Sequence, residues 1–411
     1  MTSPDLPLDR LIARGRIVSD GETVDGGVVA FEGDRIAYAG PAADFDVEAF
    51  GGTELTLPAD ALLFPGLVDL HCHGAVGGDF PGADEAAARR AIDFLHRSGT
   101  TTLLASLVTA APEDLLRGIR LFARLDAEGL VGGIHLEGPF LAAARCGAQN
   151  PAFLLDPDLG LAEELIEAAE GKLATMTYAP ELPGAAELVD LLTAHGVTPS
   201  LGHTDCDDAT ASASLDQALE ELTSAGFDGE ETVPTVTHLF NGMPPLHHRS
   251  PGPVAACLRA AAAGRAVVEL VADGVHLDPA TVRTVFSLVG DANIALVTDS
   301  MAAAGLSDGQ YMLGPSPVTV RDGVARLDTT GSIAGGTATL LDVVRSTAEA
   351  GVPLESAVRA ATAVPAAVLG RSDEFGSLRR GLRADLVATD ARLGLAAVVR
   401  AGTLLELPQG R

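Results

Sequence analysis

Residues 64–74, FPGLVDLHCHG, form the first of several apolar segments that end in polar side chains. Because side chains alternate along a strand, Asp69, His71 and His73 share one face of this segment, whereas Cys72 points to the other. The two imidazoles lie about 7 Å apart on a strand that rises about 3.3 Å per residue, so they can converge on one metal ion. Ordinary core or surface histidines also produce a His-x-His pair, so the pair alone is not decisive.

The same pattern recurs along the chain, where short β-branched or apolar runs are each followed by an Ala/Leu/Glu-rich stretch of helical period. Eight such units lie between about residue 66 and about residue 370, and a hairpin-like insertion is expected near residues 310–328. The runs are GLVDLHCHG, TTLLASLVT, VGGIHLEGP, KLATMTYAPE, TPSLGHT, TVTHLF, AVVELVADGVH and NIALVTDS. Alternation of strand and helix predicts a parallel sheet, and eight units predict a closed (β/α)8 TIM barrel.

An open doubly wound sheet is the alternative fold. The polar residues favour the barrel, because they gather at the carboxyl ends of many different strands, where such barrels place their chemistry. The flanking segments differ from this middle: residues 1–62 and 371–411 contain short strands separated by Gly and Asp-Gly. We therefore expect an α/β protein with a barrel over residues 63–370 and a small β-sandwich domain built from both termini.

Composition excludes several classes of partner. The 411 residues include 27 Lys+Arg and 56 Asp+Glu, which gives a formal net charge of −29. Nucleic acids and anionic membranes require a cationic surface, so neither is expected as a partner. No run of about 18 uncharged apolar residues occurs, and the N-terminus does not read as a signal peptide. The four scattered cysteines predict reduced thiols and a cytoplasmic protein.

Four more strand ends carry candidate metal ligands. Glu137 ends the third strand in HLEGP, His203 the fifth in LGHT, His238 the sixth in THLFNGMP and Asp299 the eighth in LVTDS. One such residue could be a satisfied polar core residue, but six Glu, Asp and His at matching positions are harder to explain in that way. Imidazole nitrogen and carboxylate oxygen suit borderline-hard ions, so we expect Zn²⁺ or Fe²⁺.

Together with His276 in ADGVH, these motifs resemble the N-acetylglucosamine-6-phosphate deacetylases of the amidohydrolase superfamily. The resemblance extends from FPGLVDLHCHG to the ADLVATD segment near the C-terminus. It implies that Glu137, His203 and His238 hold one divalent ion. It also implies that His71 and His73 complete a second position bridged by Glu137, which gives one or two ions per subunit.

Related cyclic-amide hydrolases bridge two metals with a carbamylated lysine at the end of the fourth strand. Here that strand ends in TYAPE and Lys172 lies at its start, which favours the deacetylase branch. Asp299 is the expected catalytic residue, since a carboxylate near an activated water can take a proton and return it to the departing amine. The alternative for Asp299 is a role as a metal ligand alone.

The resemblance also implies a site for the sugar phosphate. Asn241 and Gly242 match a phosphate-contacting backbone pair, Arg249 matches an arginine donated by the neighbouring subunit of a homodimer, and His276 matches a histidine that contacts the substrate. Family members carry a histidine where this chain has Gln149, in CGAQNP. Glutamine keeps an N–H donor but does not titrate near neutral pH. Either a second metal therefore polarises the substrate amide in place of the histidine, or the substrate differs from that of the family.

The expected reaction is hydrolysis of N-acetyl-D-glucosamine 6-phosphate to D-glucosamine 6-phosphate and acetate, in amino-sugar catabolism. One alternative is a deacetylase for a related acylated amine, such as N-acetylgalactosamine 6-phosphate or an unphosphorylated amide. A second alternative, from a different class, is a catalytically silent barrel used for assembly or ligand sensing. Convergence of charged groups at one rim argues against that alternative, because scaffolding does not require it.

Overall fold

The computed structural model describes residues 6–7, 10–225 and 232–408. The N-terminal segment contains a three-stranded antiparallel meander. Two short strands further along the segment pair parallel with the first strand of that meander. Its elements are β1 (Leu6–Pro7), β2 (Arg10–Ser19), β3 (Glu22–Glu32), β4 (Arg35–Pro41), α1 (Val47–Phe50), β5 (Thr53–Glu54) and β6 (Leu62–Pro65).

The middle of the chain alternates strand and helix, as the sequence predicts. Its first half comprises β7 (Leu67–Cys72), β8 (Gly74–Ala75), β9 (Gly78–Asp79), α2 (Glu85–Arg97), β10 (Thr100–Val108), α3 (Pro112–Ala127), β11 (Ile134–Glu137), α4 (Leu159–Ala168), β12 (Leu173–Tyr178) and α5 (Ala185–Ala194). Its second half comprises β13 (Thr198–Leu201), α6 (Asp208–Ala225), β14 (Thr235–Val236), α7 (Gly252–Ala262), β15 (Val267–Leu270), α8 (Pro279–Val289) and β16 (Ile294–Leu296).

The remaining elements complete both domains. They are β17 (Gly309–Leu313), β18 (Ser316–Arg321), β19 (Val324–Leu327), α9 (Leu340–Glu349), α10 (Leu354–Ala360), α11 (Ala363–Val368), β20 (Leu386–Thr389), β21 (Leu395–Arg400) and β22 (Thr403–Leu405). The insertion expected as a hairpin near residues 310–328 is the three-stranded antiparallel sheet β17–β19. None of the helices in these ranges combines the length and hydropathy needed to cross a bilayer.

Eight parallel strands form the barrel, in the order β7, β10, β11, β12, β13, β14, β15 and β16. Backbone hydrogen bonds close the ring between its first and last strands: Asp299 N donates to His71 O at 2.8 Å, and His73 N donates to Ser300 O at 2.7 Å. The buried Asp69 carboxylate reinforces this seam, because it accepts the Thr298 hydroxyl at 2.6 Å. The barrel prediction is therefore confirmed, and the open-sheet alternative is wrong.

Apolar packing holds the helices against the outside of the barrel. Phe122 on α3 packs in one buried cluster with Leu136 of β11, and Leu215 on α6 packs in another with Val268 of β15. Fully burying a large apolar side chain contributes about 1.5–3 kcal/mol.

Both termini build the small domain, as predicted, and its strands share one nine-stranded sheet. Strand β20 pairs antiparallel with β6 and with β21, which places C-terminal strands directly beside N-terminal ones. The sheet extends along the N-terminal part as far as Pro65 at the end of β6. It contacts the barrel through polar groups, among them Arg383, whose guanidinium donates to the Thr102 hydroxyl at 2.5 Å.

Candidate metal centre

All six predicted ligand and base residues lie at the carboxyl end of the barrel. His71 lies in β7, and His73 is the residue just after that strand. Glu137 is the last residue of β11, and the other three residues lie in turns just after β13, β14 and β16. Those three, His203, His238 and Asp299, have positive φ angles of 47°, 27° and 47°. Residues other than glycine rarely adopt this conformation, at a cost of about 1–3 kcal/mol each, and it is concentrated at functional sites.

Glu137, His203 and His238 form the first donor group. The Glu137 Oε1 atom lies 2.8 Å from Nε2 of His203 and 3.0 Å from Nε2 of His238. The two imidazole nitrogens lie 3.1 Å apart. Nitrogens this close cannot both carry N–H hydrogens directed at each other, so in the metal-free chain at most one of them is protonated, and the lone pair of the other is free to accept.

His71, His73 and Asp299 form the second donor group. Nε2 of His71 lies 3.1 Å from Nε2 of His73, and Asp299 Oδ1 lies 3.5 Å and 3.3 Å from these two atoms. In each group the ligand atoms all lie within 4.8 Å of one another. Imidazole nitrogen and carboxylate oxygen are the donors that Zn²⁺ and Fe²⁺ accept, so both groups fit a divalent ion.

The Glu137 carboxylate links the two groups. Its Oε1 atom faces His203 and His238, whereas Oε2 lies 3.2 Å from Nε2 of His73 and 3.8 Å from Nε2 of His71. One oxygen is thus directed to each group. This is the arrangement that a bridging ligand between two ions requires.

The electrostatics of the metal-free site follow from charges crowded in a buried space. Burial opposes charge on every group, but hydrogen bonds from His203 and His238 hold the pKa of Glu137 well below its usual range. The His71 charge and the His73 hydrogen bond likewise outweigh burial and lower the pKa of Asp299. In return, Asp299 and Glu137 raise the pKa of His73 to about 9 against the effect of burial. Without metal, protons on imidazoles therefore balance the carboxylates.

Partners on the far side of each ring fix three of the four imidazoles. Nδ1 of His73 lies 3.1 Å from Ser106 O, and Nδ1 of His203 lies 2.7 Å from Arg145 O. Nδ1 of His71 lies 3.1 Å from the carboxylate of Glu269. Nδ1 of His238 has no hydrogen-bond partner in the described residues. These contacts direct Nε2 of His71, His73 and His203 toward the shared space, as metal ligation requires.

Sequence reasoning missed Glu269, which lies in the middle of β15 with 1% exposure. Its signal is an acidic residue within the otherwise apolar run AVVELV. His135 was also missed. Burial holds the pKa of this histidine well below its usual range, and its ring nitrogens bond Ser106 Oγ at 2.9 Å and Thr177 Oγ1 at 2.8 Å below the ligands.

Gln149 contacts the donor groups directly. Its amide nitrogen donates to Glu137 Oε2 at 2.6 Å, and its amide oxygen accepts from Thr109 N at 2.8 Å. The side chain is 4% exposed. Gln149 therefore holds the bridging carboxylate in the metal-free state.

The other predicted substrate residues lie at increasing distance from the ligands. Asn241 donates to His238 O at 3.2 Å, and Gly242 lies so close that a Cβ atom there would be 2.8 Å from Nδ1 of His203. Nε2 of His276 lies 3.9 Å from Asp299 Oδ2, while Asp273 holds its Nδ1 at 2.9 Å.

Arg249 is exposed, and a guanidinium nitrogen lies 2.7 Å from Nε2 of His248. The structure of the single chain does not bring Arg249 to the metal ligands. Lys172 also lies elsewhere, because its ammonium binds Asp126 at 2.7 Å at the start of β12.

A cavity of about 710 Å³ lies at the opposite end of the barrel, near the start of several strands. Basic side chains line it, but each is bound to an acidic group or a carbonyl. These pairs are Lys172 with Asp126, Arg371 with Glu374, Arg383 with Asp385, and Arg400 with the carbonyls of Thr101 and Gly129. The carboxyl-end cluster, where two groups of potential metal ligands converge, is therefore the candidate site.

Comparison with known proteins agrees with this geometry. The amidohydrolase family matches residues 62–404. The chain belongs to the amidohydrolase family. Within this family, the chain is 32% identical over 387 residues to the N-acetylglucosamine-6-phosphate deacetylase of Bacillus subtilis (strain 168), covering 90% of both chains. The resemblance predicted from the motifs is thus confirmed.

Two further amidohydrolase relatives bear on the substrate. A mutant of the Mycobacterium smegmatis N-acetyl-D-glucosamine-6-phosphate deacetylase in complex with N-acetyl-D-glucosamine-6-phosphate is 39% identical and superposes with a TM-score of 0.87, covering 97% of this chain and 99% of that one. The N-acetylgalactosamine-6-phosphate deacetylase of Escherichia coli O157:H7 is 33% identical, covering 81% of this chain and 84% of that protein.

Proposed function

We propose that this chain is a metal-dependent deacetylase that hydrolyses the acetamide of N-acetyl-D-glucosamine 6-phosphate to D-glucosamine 6-phosphate and acetate. The observation that carries the proposal is the position of Asp299, with Oδ1 within 3.5 Å of both His71 and His73, on the rim where all donors converge. The similarity to deacetylases over nearly the whole chain supports the same activity. The reaction belongs to amino-sugar catabolism.

The donor groups would hold one or two divalent ions, and we expect Zn²⁺ or Fe²⁺. Glu137, His203 and His238 would hold one, and His71 and His73 with the second Glu137 oxygen would hold the other. A bound ion lowers the pKa of its water toward neutrality and polarises an acetamide carbonyl. Gln149, which donates to Glu137, would contact the substrate through its amide, as the resemblance implies.

Asp299 performs the proton transfer in this mechanism. In the metal-free chain the neighbouring imidazoles lower the pKa of its carboxyl despite burial. It accepts a proton from the attacking water and then delivers that proton to the amine nitrogen, so that a neutral amine leaves rather than an anion. Asp273 orients His276, whose Nε2 lies 3.9 Å from Asp299 Oδ2, and His276 would contact the sugar phosphate.

We propose that the phosphate is bound by the loop after β14 and by a second subunit. Asn241 and Gly242 offer polar groups next to His238, and Arg249 is exposed in the same chain. In a homodimer, Arg249 would reach the neighbouring site and supply a cation against the net charge of −29. The four free cysteines and a phosphorylated substrate support a cytoplasmic location.

Substitution of Asp299 by asparagine tests the mechanism. Asp299→Asn keeps the shape of the side chain but cannot accept the proton, so we expect kcat to fall by about 10³-fold or more while metal and substrate still bind. The exposed Asp25, whose neutralisation leaves the barrel untouched, provides the control variant Asp25→Asn. Unchanged turnover of the Asp299→Asn enzyme would remove Asp299 from the catalytic role.

N-acetyl-D-galactosamine 6-phosphate is the second candidate substrate. The Escherichia coli O157:H7 relative favours it, as does Gln149 at the position where the resemblance implies a histidine. The values of kcat/KM for the two epimers and for unphosphorylated N-acetylglucosamine separate these activities. Equal turnover of the unphosphorylated sugar would remove Arg249 from its proposed role. Failure to hydrolyse any of these amides, with metal bound, would favour the silent-barrel alternative.

A further inference from the structure

Glu269 is a buried carboxylate that the proposed reaction does not use. It lies on β15 with 1% exposure, between Val268 and Leu270, which are both fully buried. An ionised carboxylate removed from water costs several kcal/mol unless it is paired and hydrogen-bonded. The contacts of Glu269 therefore indicate why this strand carries an acid.

A single oxygen of Glu269 serves both donor groups. Its Oε2 atom lies 3.1 Å from Nδ1 of His71 and accepts the backbone N–H of His238 at 3.1 Å. His71 belongs to the second donor group and His238 to the first. In the described residues, His71 is the ionic partner of Glu269.

The contact with His71 selects one tautomer of that ring. When Nδ1–H donates to Glu269, the lone pair of the neutral imidazole is on Nε2. Nε2 is the atom that lies 3.1 Å from His73 Nε2 and 3.5 Å from Asp299 Oδ1. Glu269 thus presents the ligating nitrogen of His71 to the second metal position.

The contact with His238 holds a strained turn. His238 has a φ of 27°, and its Nδ1 has no hydrogen-bond partner in the described residues, so no contact at Nδ1 orients its ring. The Glu269 side chain binds the His238 N–H, and the Glu269 carbonyl accepts Leu239 N at 2.9 Å. Two hydrogen bonds from one residue therefore fix the turn that carries this ligand.

Charge separates His71 from the other imidazoles. His73 and His203 place Nδ1 against neutral backbone carbonyls, those of Ser106 and Arg145. A carboxylate partner makes an imidazole a stronger ligand than a carbonyl does, and such partners contribute about 10- to 100-fold in metal affinity. The negative charge of Glu269 therefore acts through His71, a member of the second donor group.

We infer that Glu269 is a positioning residue that orients His71 for a second divalent ion while holding the His238 turn of the first position. The inference rests on the metal centre of the proposed function. It makes the occupancy of the second position depend on a residue that does not ligate.

Cobalt titration of the metal-free chain tests this role, because visible absorption follows ligation of Co²⁺ directly. We expect about two equivalents to bind to the wild-type chain. The Glu269→Gln variant keeps the volume and an oxygen acceptor but loses the charge, so one equivalent should bind about 10- to 100-fold more weakly. The other equivalent should bind with wild-type affinity, because glutamine can still accept the His238 N–H.

Asp385 offers a matched control, since its carboxylate is 3% exposed and binds Arg383 and Thr101 away from the metal ligands. Asp385→Asn should leave both equivalents unchanged even if it lowers the melting temperature. Glu269→Asp, which shortens the side chain but keeps the charge, carries the same test if Glu269→Gln does not fold. It should also weaken one equivalent.

Three results would overturn the inference. In the first, the Glu269 variants bind both equivalents of Co²⁺ with wild-type affinity. In the second, the variants bind both equivalents equally more weakly and lose stability in parallel. In the third, the wild-type chain binds a single equivalent. The titration contains no substrate. A failed inference about Glu269 therefore leaves the deacetylase proposal standing, and a chain without deacetylase activity leaves the titration result intact.

Discussion

His73 lies between two carboxylates, and its protonation depends on whether a metal ion is bound. In the metal-free chain its Nε2 lies 3.2 Å from Glu137 Oε2 and 3.3 Å from Asp299 Oδ1. These contacts outweigh burial and raise its pKa from 6.5 to about 9. A bound ion takes the place of that proton, so metal uptake releases protons and becomes tighter as pH rises.

This charge balance predicts how the stability of the metal-free chain depends on pH. Because the folded pKa of His73 exceeds 6.5, its contribution is complete below pH 6.5 and is lost as pH rises through about 9. The carboxylates of Glu137 and Asp299 have lowered pKa values, so their contribution is lost in acid instead. Urea unfolding of metal-free chain should therefore show falling stability from pH 6.5 to 9.

The metal-loaded chain is the control for this experiment, because ligated imidazoles carry no displaceable proton. Its stability should vary less than that of the metal-free chain over the same pH interval. Metal-free stability that stays constant from pH 6.5 to 9 would contradict the charge balance described for His73.

Single residues differ in how well the sequence reveals them. Glu137, His203 and Asp299 were predictable, because each follows an apolar run at the end where barrels concentrate polar groups. Glu269 was not, because it lies in the middle of a strand and its partner His71 is 198 positions away in the chain. Gln149 was expected to contact substrate, and the structure adds that its amide binds Glu137, which no local pattern indicates.

At the scale of elements, the turns after the strands position the ligands. The run TVTHLF, residues 235–240, reads as one strand, but β14 ends at Val236. Positive φ angles of 27° at His238 and 79° at Phe240 turn the chain away from the sheet. Sequence alternation cannot show this, because the conformation is imposed by contacts such as the Glu269 hydrogen bond to His238 N.

Gly242 lies in that same turn, and a substitution there tests how tightly the turn fits the ligands. A Cβ atom at this position would lie 2.8 Å from Nδ1 of His203, and its φ is 63°. Gly242→Ala should therefore displace His203 and weaken metal binding by about 10-fold or more, as loss of a ligand-orienting contact does. Metal content after dialysis and kcat measure the effect.

Gly264 provides the control for backbone strain alone. Its φ is 71°, and nothing lies within 4 Å of a Cβ atom built there. Gly264→Ala should lower stability by about 1 kcal/mol from the left-handed conformation without changing metal content. Equal metal content in both variants would show that the space around His203 does not limit ligation.

The whole molecule carries a charge that opposes its proposed substrate. The net charge is −29, and a phosphate monoester carries about −1.5 to −2 at neutral pH. The Debye length shrinks from about 30 Å at 0.01 M salt to about 10 Å at 0.1 M, so salt screens this repulsion. We expect kcat/KM for N-acetyl-D-glucosamine 6-phosphate to rise several-fold, about two- to tenfold, over that range.

Unphosphorylated N-acetylglucosamine is the control substrate for this effect. It is neutral, so its kcat/KM should change little with salt. A kcat/KM for the sugar phosphate that falls as salt is added would mean that a local positive field at the barrel mouth governs the approach of substrate.

A small domain built from strands of both termini was predictable at this scale, because strand-rich flanks around an alternating middle leave few arrangements. The homodimer and the role of Arg249 stay predictions, since they depend on a surface that a single chain leaves exposed. The insertion after β16 was expected as a hairpin, and its third strand, β19, was not recognised. The run VARL is too short for alternation to identify it.

The small sheet has a consequence for how the protein is made. Leu386 of β20 pairs with Pro65 of β6, and the whole barrel is translated between these two residues. Until the final strands leave the ribosome, the edge of β6 has no neighbour on that side, and an open strand edge invites pairing with other nascent chains. Pairing of β20 with β6 therefore covers this open edge late in synthesis. Translation products that end before β20 should be the species that chaperones retain.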